Sequence, residues 1–477
     1  MDSIKGGENM YIYTMPRDEW DETAPDKQTI RTLISKHMTE RKHLEKLKRY
    51  YEGKHKILSE SKRKNRLVCN HAKDISDTAS GYFIGNPVTY KSDADIKPLT
   101  DALEDAGADE TDGDNGLDLS VYGRAYEYIY PQEDEITLIT KTLEPENTFK
   151  VYDDTIEQKE LFGVYYYVKK DDRDKNSPMF IATILTQHYK YVLNIEDIDG
   201  PQALVEEPEP HHFEEVPLIE YRNNKLALGD FELQISLIDA YNALMSDRIT
   251  DKDQFIDAIL ALYGAVLGDA NAKDAEGLTA AERLKRDRMV ELPKDSKAEY
   301  VTRTFDETGV EILKKAIEQD IHKFSHIPCM TDEAFGGNVS GVAMEFKLLG
   351  MENITKIKTR YYKKGLRKRL RLFASWLNKS QAVQIDITGI SMSFTRALPK
   401  NLLEISQITA NLWGKVSRKT LLSQIPFVDN VEEEIAALEK EEAETLRRQQ
   451  ALFGIGSNTP PDELGGPRGK EPGEADE

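Results

Sequence analysis

The residues best suited to chemistry fall into three small groups. His322 and His326 stand one helical turn apart with Cys329 just beyond, which offers two imidazoles and a thiolate to a zinc ion. A fourth ligand at a fitting interval is missing, so a plain histidine pair on a helix is the expectation. Asp112-Gly113-Asp114-Asn115-Gly116 offers oxygens to calcium. It lacks the alternating ligands, sixth-position glycine and twelfth-position glutamate of such a loop, and it reads as a solvated turn. His211-His212, inside the acidic run Glu206–Glu215, has no partner spaced to complete a metal site and reads as a surface loop. No Gly-x-x-x-x-Gly-Lys-Ser/Thr loop and no Gly-x-Ser-x-Gly elbow occur. Neither nucleotide hydrolysis, nor any cofactor or metal, nor any enzymatic activity is therefore expected.

A fourth concentration of chemistry is charge. Between Lys356 and Arg371 stand Lys356, Lys358, Arg360, Lys363, Lys364, Arg367, Lys368, Arg369 and Arg371, with no acidic residue among them. The chain as a whole carries a formal net charge of -21 over 477 residues. That balance argues against generic wrapping of nucleic acid, though not against a wall past which a polyanion slides. Within it, a basic rod either faces a polyanion or lies wet against acidic neighbours, and the sequence leaves both open.

The elements that must hold this rod organise the chain from Asp306 to Asn378. Val310, Leu313, Ile317, Ile321 and Phe324 recur at helical steps, and Pro328 ends that helix. A glycine-bearing connector, Cys329 to Gly341, contains Gly336, Gly337 and Asn338. A second helical pattern runs from Val342 to Leu377, with Gly350 expected to interrupt it between Leu348 and Asn353.

Upstream, Met1 to Asp26 reads as a loose polar arm. A helix follows from Lys27 and stops at Gly53. Ser92 to Asp118 reads as acidic turns. Short strands are expected at 125–130, 136–140, 149–152, 161–168, 180–185 and 189–193. Asp230 is the expected N-cap of a helix reaching Leu262, a rod of about 50 Å whose apolar stripe needs an antiparallel partner or a neighbouring subunit. Residues 306–324 are the obvious partner. Between the rods, Gly264 to Phe305 reads as a small αβ unit with Arg283, Lys285, Arg286 and Arg288 on one basic face. Val383, Ile385 and Ile387 alternate, as do Met392 and Phe394, and suggest strands returning to the first sheet. Helices end the chain: Leu402 to Trp413, a short one capped by Ser417, and one from Asp429. Gly454 to Glu477 lacks apolar periodicity and reads as disordered. The two cysteines, Cys69 and Cys329, suit a reducing compartment. With no apolar run near ~20 residues and no leader pattern, a soluble protein made in a cytoplasm is expected.

The order of a Tyr-Tyr-Glu-Gly helix end at Tyr50, Asn-Arg-x-Val-x-Asn at Asn65 and Gly-Tyr-Phe-x-Gly-x-Pro-Val at Gly81 resembles the portal proteins of tailed bacteriophages. The likeness recurs at Gly337–Ala343, at Lys363–Leu366 and at Leu421–Asp429, and spans roughly Thr32 to Lys440. It implies an α+β portal fold assembled as a ring: an arm at 1–26, an α/β wing at 27–229, stem helices at 230–263 and 306–327, and a clip at 264–305. A kink and tunnel-loop region at 328–355 follows, then a wing return at 356–400, a helical crown at 401–453 and a tail at 454–477. It implies twelve copies at one capsid vertex, with double-stranded DNA in the channel. The implied partners are the terminase large subunit, a head–tail adaptor, and scaffold and major capsid proteins, with no membrane. On that likeness Lys347, Gly350, Glu352, Asn353 and Lys356 are expected at the DNA-facing tunnel loop, Gly336, Gly337 and Asn338 at a kink, and the four clip cations at the motor. An intracellular helical scaffold or adaptor that never meets DNA fits the composition equally well.

Overall fold

The structure is a computed structural model. It describes residues 12–132, 137–169, 179–195, 203–205, 208–256, 259–263, 297–301, 307–330, 341–380, 384–396, 402–425 and 431–452, with a few isolated positions between 273 and 286 and at 428. Arg283, Lys285 and Arg288, expected in a clip, Gly336, Gly337 and Asn338, expected at a kink, and the tail from Phe453 on lie outside the described residues. Two compact units form, 1–397 and 398–477, and each is described by itself.

In the larger unit, β1 (Tyr13–Met15) precedes α1 (Lys27–Tyr51). The stretch expected as a loose arm is therefore tied down from Tyr13. That residue pairs in register with Val151, its ring is buried, and Trp20 stacks on Phe162 at 4.0 Å. Asp26 caps α1 by accepting from the backbone N–H groups of Gln28 and Thr29, and Ile30, Ile34, Leu44 and Leu47 form its buried stripe. Gly53, at φ +78°, stops it as expected. Asn70 caps α2 (His71–Ile84), and β2 (Thr89–Lys91) follows.

The acidic stretch expected as turns instead holds two helices, α3 (Lys97–Asp105) and α4 (Ala108–Tyr122). Local propensity argues against α4, which is rich in aspartate and also contains an asparagine and two glycines. Packing overrides it. Leu99, Leu103 and Leu119 enter the main core, and Gly116 lets Ile84 approach so closely that a Cβ there would lie 2.4 Å from its Cγ2.

Among the described residues, nine strands follow: β3 (Arg124–Pro131), β4 (Leu138–Leu143), β5 (Thr148–Asp153), β6 (Glu160–Lys169), β7 (Met179–Leu185), β8 (Tyr189–Ile195), β9 (Ala203–Val205), β10 (Glu209–Pro210) and β11 (Leu218–Arg222). One sheet orders β1-β5-β6-β7-β8-β10, with β9 on β8, and a second orders β11-β3-β4. Apart from β1 on β5, these pairs are antiparallel. The six expected strands all form.

The first long helix is shorter than its stripe suggests. After a 3-10 turn at Glu232–Gln234, α5 spans Ile235–Ile256, and the apolar run beyond it is β12 (Ile259–Tyr263), antiparallel to β13 (Lys297–Val301). A five-residue apolar run fits either period, so the sequence did not separate these outcomes. Asp230 is not an N-cap; its carboxylate serves side chains, as described below. α6 (Glu307–Ser325) is the expected antiparallel partner, joined by Arg248 to Glu311 at 2.8 Å and Lys252 to Glu307 at 3.0 Å.

The expected interruption at Gly350 is absent. α7 runs unbroken over Gly341–Ser380, 40 residues and about 60 Å. Leu348 and Met351 are buried on either side of the glycine, and that packing holds one weak helix former in place. Val383 lies outside the described residues, and the alternation from Ile385 does not join the first sheet. Ile385 donates its N–H to the Asn378 side chain, Asp386 makes a local turn onto Thr388, and among the described residues here only β14 (Ser391–Ser393) forms, paired with β2. At Ile385 and Ile387 the alternation records burial and half-burial without a ladder, whereas Met392 pairs with Tyr90. The smaller unit holds α8 (Leu402–Leu412), α9 (Arg418–Leu422) capped by Ser417, and α10 (Val431–Leu452). Arg418–Glu442 and Lys419–Glu432 pair across it at 2.9 and 2.7 Å.

Candidate functional site

The basic rod lies on α7, and the fold divides its cations by face. At about 100° per residue, Tyr362, Leu366, Leu370 and Phe373 share one side, and all four are buried in the core with Leu99, Leu103 and Tyr221. Gly365 makes the close approach possible, since a Cβ there would stand 2.3 Å from Cε1 of Tyr221.

Three of the cations are buried and paired within the chain. Arg369 donates from Nε to Glu127 at 2.8 Å and from Nη2 to both Glu127 and Asp112, at 2.8 and 2.6 Å. Tyr221 donates to Glu127 and Tyr362 to Asp112. Burial pushes the Glu127 carboxyl up, and the Arg369 guanidinium pulls it back only in part. The Asp112 segment, read as a solvated turn, is thus the anchor of a buried ionic cluster.

Lys368 shares Glu160 with Lys150, and both ammonium groups also donate to the Leu218 carbonyl, at 3.0 and 2.9 Å. Two cations face one carboxylate. Burial raises the Glu160 carboxyl, but the two ammonium groups overcome this and hold it at about 2. Burial and repulsion from Lys150 bring Lys368 down to about 7. The site floors an open groove of about 580 Å³ between the sheet residues Tyr152 and Glu220 and the helix residues Tyr361, Lys364 and Arg367.

Lys358 pairs with Asp230 at 2.7 Å, and Asp230 also accepts from Ser120 and Asn223. The carboxylate expected to cap α5 therefore locks the approach to that helix onto α7 instead.

The expected tunnel-loop residues are not gathered on a loop. Lys347, Asn353 and Lys356 are exposed on α7, and a Cβ added at Gly350 would stand 3.6 Å from Nδ1 of His326. Glu352 is held by Arg396 at 3.1 Å and Tyr82 at 2.8 Å, with Lys356 at 3.7 Å. Arg286 is exposed at a helical position. His211 is buried, with Nε2 on the Thr186 carbonyl and burial holding its ring down at about 4, which corrects the surface-loop expectation for it; His212 is exposed. His322 directs Nδ1 to the Ile327 carbonyl at 3.0 Å and its ring lies edge-on to His71. Among the described residues no group of three or more His, Cys, Asp or Glu side chains could hold a metal ion. Nor is any described helix long and apolar enough to cross a membrane.

What this arrangement does is fasten one long helix to the sheets and to the approach to α5. The chain belongs to the phage portal protein family, SPP1 Gp6-like, which it matches over residues 30–448. It is 25% identical over 448 residues to the portal protein of Bacillus phage SPP1, covering 87% of this chain and 86% of that one. The portal protein of Clostridium phage phiCD119 is 22% identical over 446 residues, covering 85% of this chain and 93% of that one. A chain from a structure of the neck of an empty GTA particle, computed with C6 symmetry, aligns with 77% of this chain and 90% of its own at 11% identity, with a TM-score of 0.39. The family is structural, and its members are virion components.

Proposed function

We propose that twelve copies of this chain build a ring at one capsid vertex, through which a separate ATP-driven motor passes double-stranded DNA during packaging and by which the genome leaves. The observation that carries this is the family match over residues 30–448. The antiparallel helices α5 and α6, leading to and from the β12–β13 pair, are consistent with a stem and clip. The chain itself performs no catalysis in this scheme. An acidic wall repels phosphate, and a few basic side chains give weak, transient holds.

The terminase large subunit is the proposed partner of the clip, with Arg283, Lys285, Arg286 and Arg288 as its docking face. A head–tail adaptor and the scaffold and major capsid proteins are the other proposed partners. Because α7 is continuous at Gly350, the tunnel loop is proposed to be the glycine-bearing segment around Gly336, Gly337 and Asn338. Lys347, Asn353 and Lys356 would then lie on the helix that follows it toward the channel. Negative-stain images and light scattering of the purified chain test the scheme. Rings with an open axis are expected. A monomer or dimer across assembly-permissive salt would favour an intracellular adaptor that never meets DNA.

A further inference from the structure

Two surfaces of the larger unit carry unpaired charge of opposite sign. On α7 the exposed cations Arg360, Lys364 and Arg367 follow one another at steps of four and three, so they share one stripe. None of the three has a carboxylate partner among the described residues, unlike Lys356 and Arg371 at either end. On α3 and α4, Asp101, Glu104, Asp105, Asp109, Glu110 and Asp114 are all exposed. None of these carboxylates forms an ion pair among the described residues, and Lys97 is the single basic residue on the two helices. Repulsion is felt there: burial first, then Glu110, holds the Asp114 carboxyl up.

The placement of the two surfaces is what matters. Tyr362, Leu366 and Phe373 face the core that contains Leu99 and Leu103 of α3. Lys364 lies about 160–200° around the helix from those three residues. Lys364, at the centre of the stripe, therefore points away from the side of α7 that meets α3, while Arg367 lies nearer the core face and both line the groove that also holds Glu160, Glu215 and Glu220. A body with complementary charge on opposite sides fits a second copy of itself head to tail, the heterologous arrangement that closes into a ring.

We infer that the acidic α3–α4 surface of one copy docks on the Arg360–Lys364–Arg367 stripe of the next. This rests on the ring proposed above and names the faces that meet in it. Such pairs add little affinity each, but they set register and reject wrong orientations, because juxtaposed like charges are strongly unfavourable.

The test uses the full chain and two charge-reversed variants, Lys364→Glu/Arg367→Glu and Glu104→Lys/Asp105→Lys. Ring content is measured by sedimentation velocity and negative stain at fixed low salt. Each variant alone is expected to need a protein concentration higher by roughly tenfold or more to form rings, with unchanged melting temperature. An equimolar mixture of the two is expected to restore rings, because alternating copies place opposite charges at every contact. Rings that survive both reversals, or a mixture that fails to rescue, would overturn the inference and leave the ring itself standing. Intact rings that lose only salt-sensitive DNA retention in the α7 variant would assign the stripe to nucleic acid and likewise overturn it. A wild-type chain that never forms rings would remove the proposed function and this inference together.

Discussion

The guanidinium of Arg369 and the carboxylate of Asp112 meet at 2.6 Å with both side chains buried, although one lies on the long helix α7 and the other on a helix that sequence propensity does not favour. Glu127 completes the pairing from a strand, so three separate segments of chain converge on one cation. The cluster fixes how α7 sits on α4 and on the β11-β3-β4 sheet.

Arg369→Met is accordingly expected to destabilise the protein by about 3–5 kcal/mol, because two buried carboxylates lose their cation. The triple replacement R369M/E127Q/D112N should recover much of that loss. Urea unfolding of the two variants checks this, and equal losses would show that packing, not charge, dominates the site.

The neighbouring pair Lys368 and Glu160 should respond unequally. Glu160→Gln leaves two ammonium groups facing each other and is expected to cost about 3 kcal/mol, while Lys368→Met removes the surplus cation and should stay within about 1 kcal/mol of the parent. The pH signs differ as well. Glu160 titrates near 2 in the folded chain and about 4.3 unfolded, so its contribution is present above the unfolded value and lost as pH falls between them. Lys368 titrates near 7 folded and about 10.4 unfolded, so the unfolded chain holds the extra proton between those values and stability rises with pH there. Subtracting the Lys368→Met stability curve from the parent's isolates that rise.

His37 supplies a separate acid response. Buried against Tyr166, whose hydroxyl lies 2.7 Å from Nδ1, it is held down to about 3 by burial, with Arg124 and Arg41 adding to the shift. The unfolded chain binds the extra proton between about 6.5 and 3, so stability falls as pH drops through that window, by at most about 1.4 kcal/mol per pH unit. His37→Gln should flatten the slope between pH 6 and 4, measured by thermal melts.

Two glycines on α7 should behave oppositely. Gly350→Ala is expected to stabilise by up to about 1 kcal/mol, since the helix is already continuous and the nearest atoms of His326 stand at 3.6 and 3.7 Å. Gly365→Ala should lose about 1–3 kcal/mol by driving a methyl group into the Tyr221 ring, which stacks on Tyr362 at 4.4 Å. Melting temperatures that fall for both would mean that the chain bends at Gly350 after all.

The long helices and the strands could be read from sequence, because burial of one face imposes a period that composition cannot disguise. Ile30, Ile34, Leu44 and Leu47 announce α1 in this way, and Gly53 and Ser417 mark its end and a later beginning. The family likeness was legible too, in the order of motifs from Tyr50 to Asp429. What only the tertiary structure decided was the fate of the charges. Local sequence gives a lysine or an aspartate no sign of its partner, since Arg369 and Asp112, Lys368 and Glu160, and Lys358 and Asp230 are each brought together from distant segments. Apolar packing in that neighbourhood made a helix of 108–122 against its propensity and kept α7 whole across Gly350. Periodicity is a local property and survives in the sequence; pairing and burial are properties of the folded neighbourhood, and they turned part of an apparently exposed basic rod into the fastening of α7 to the sheets.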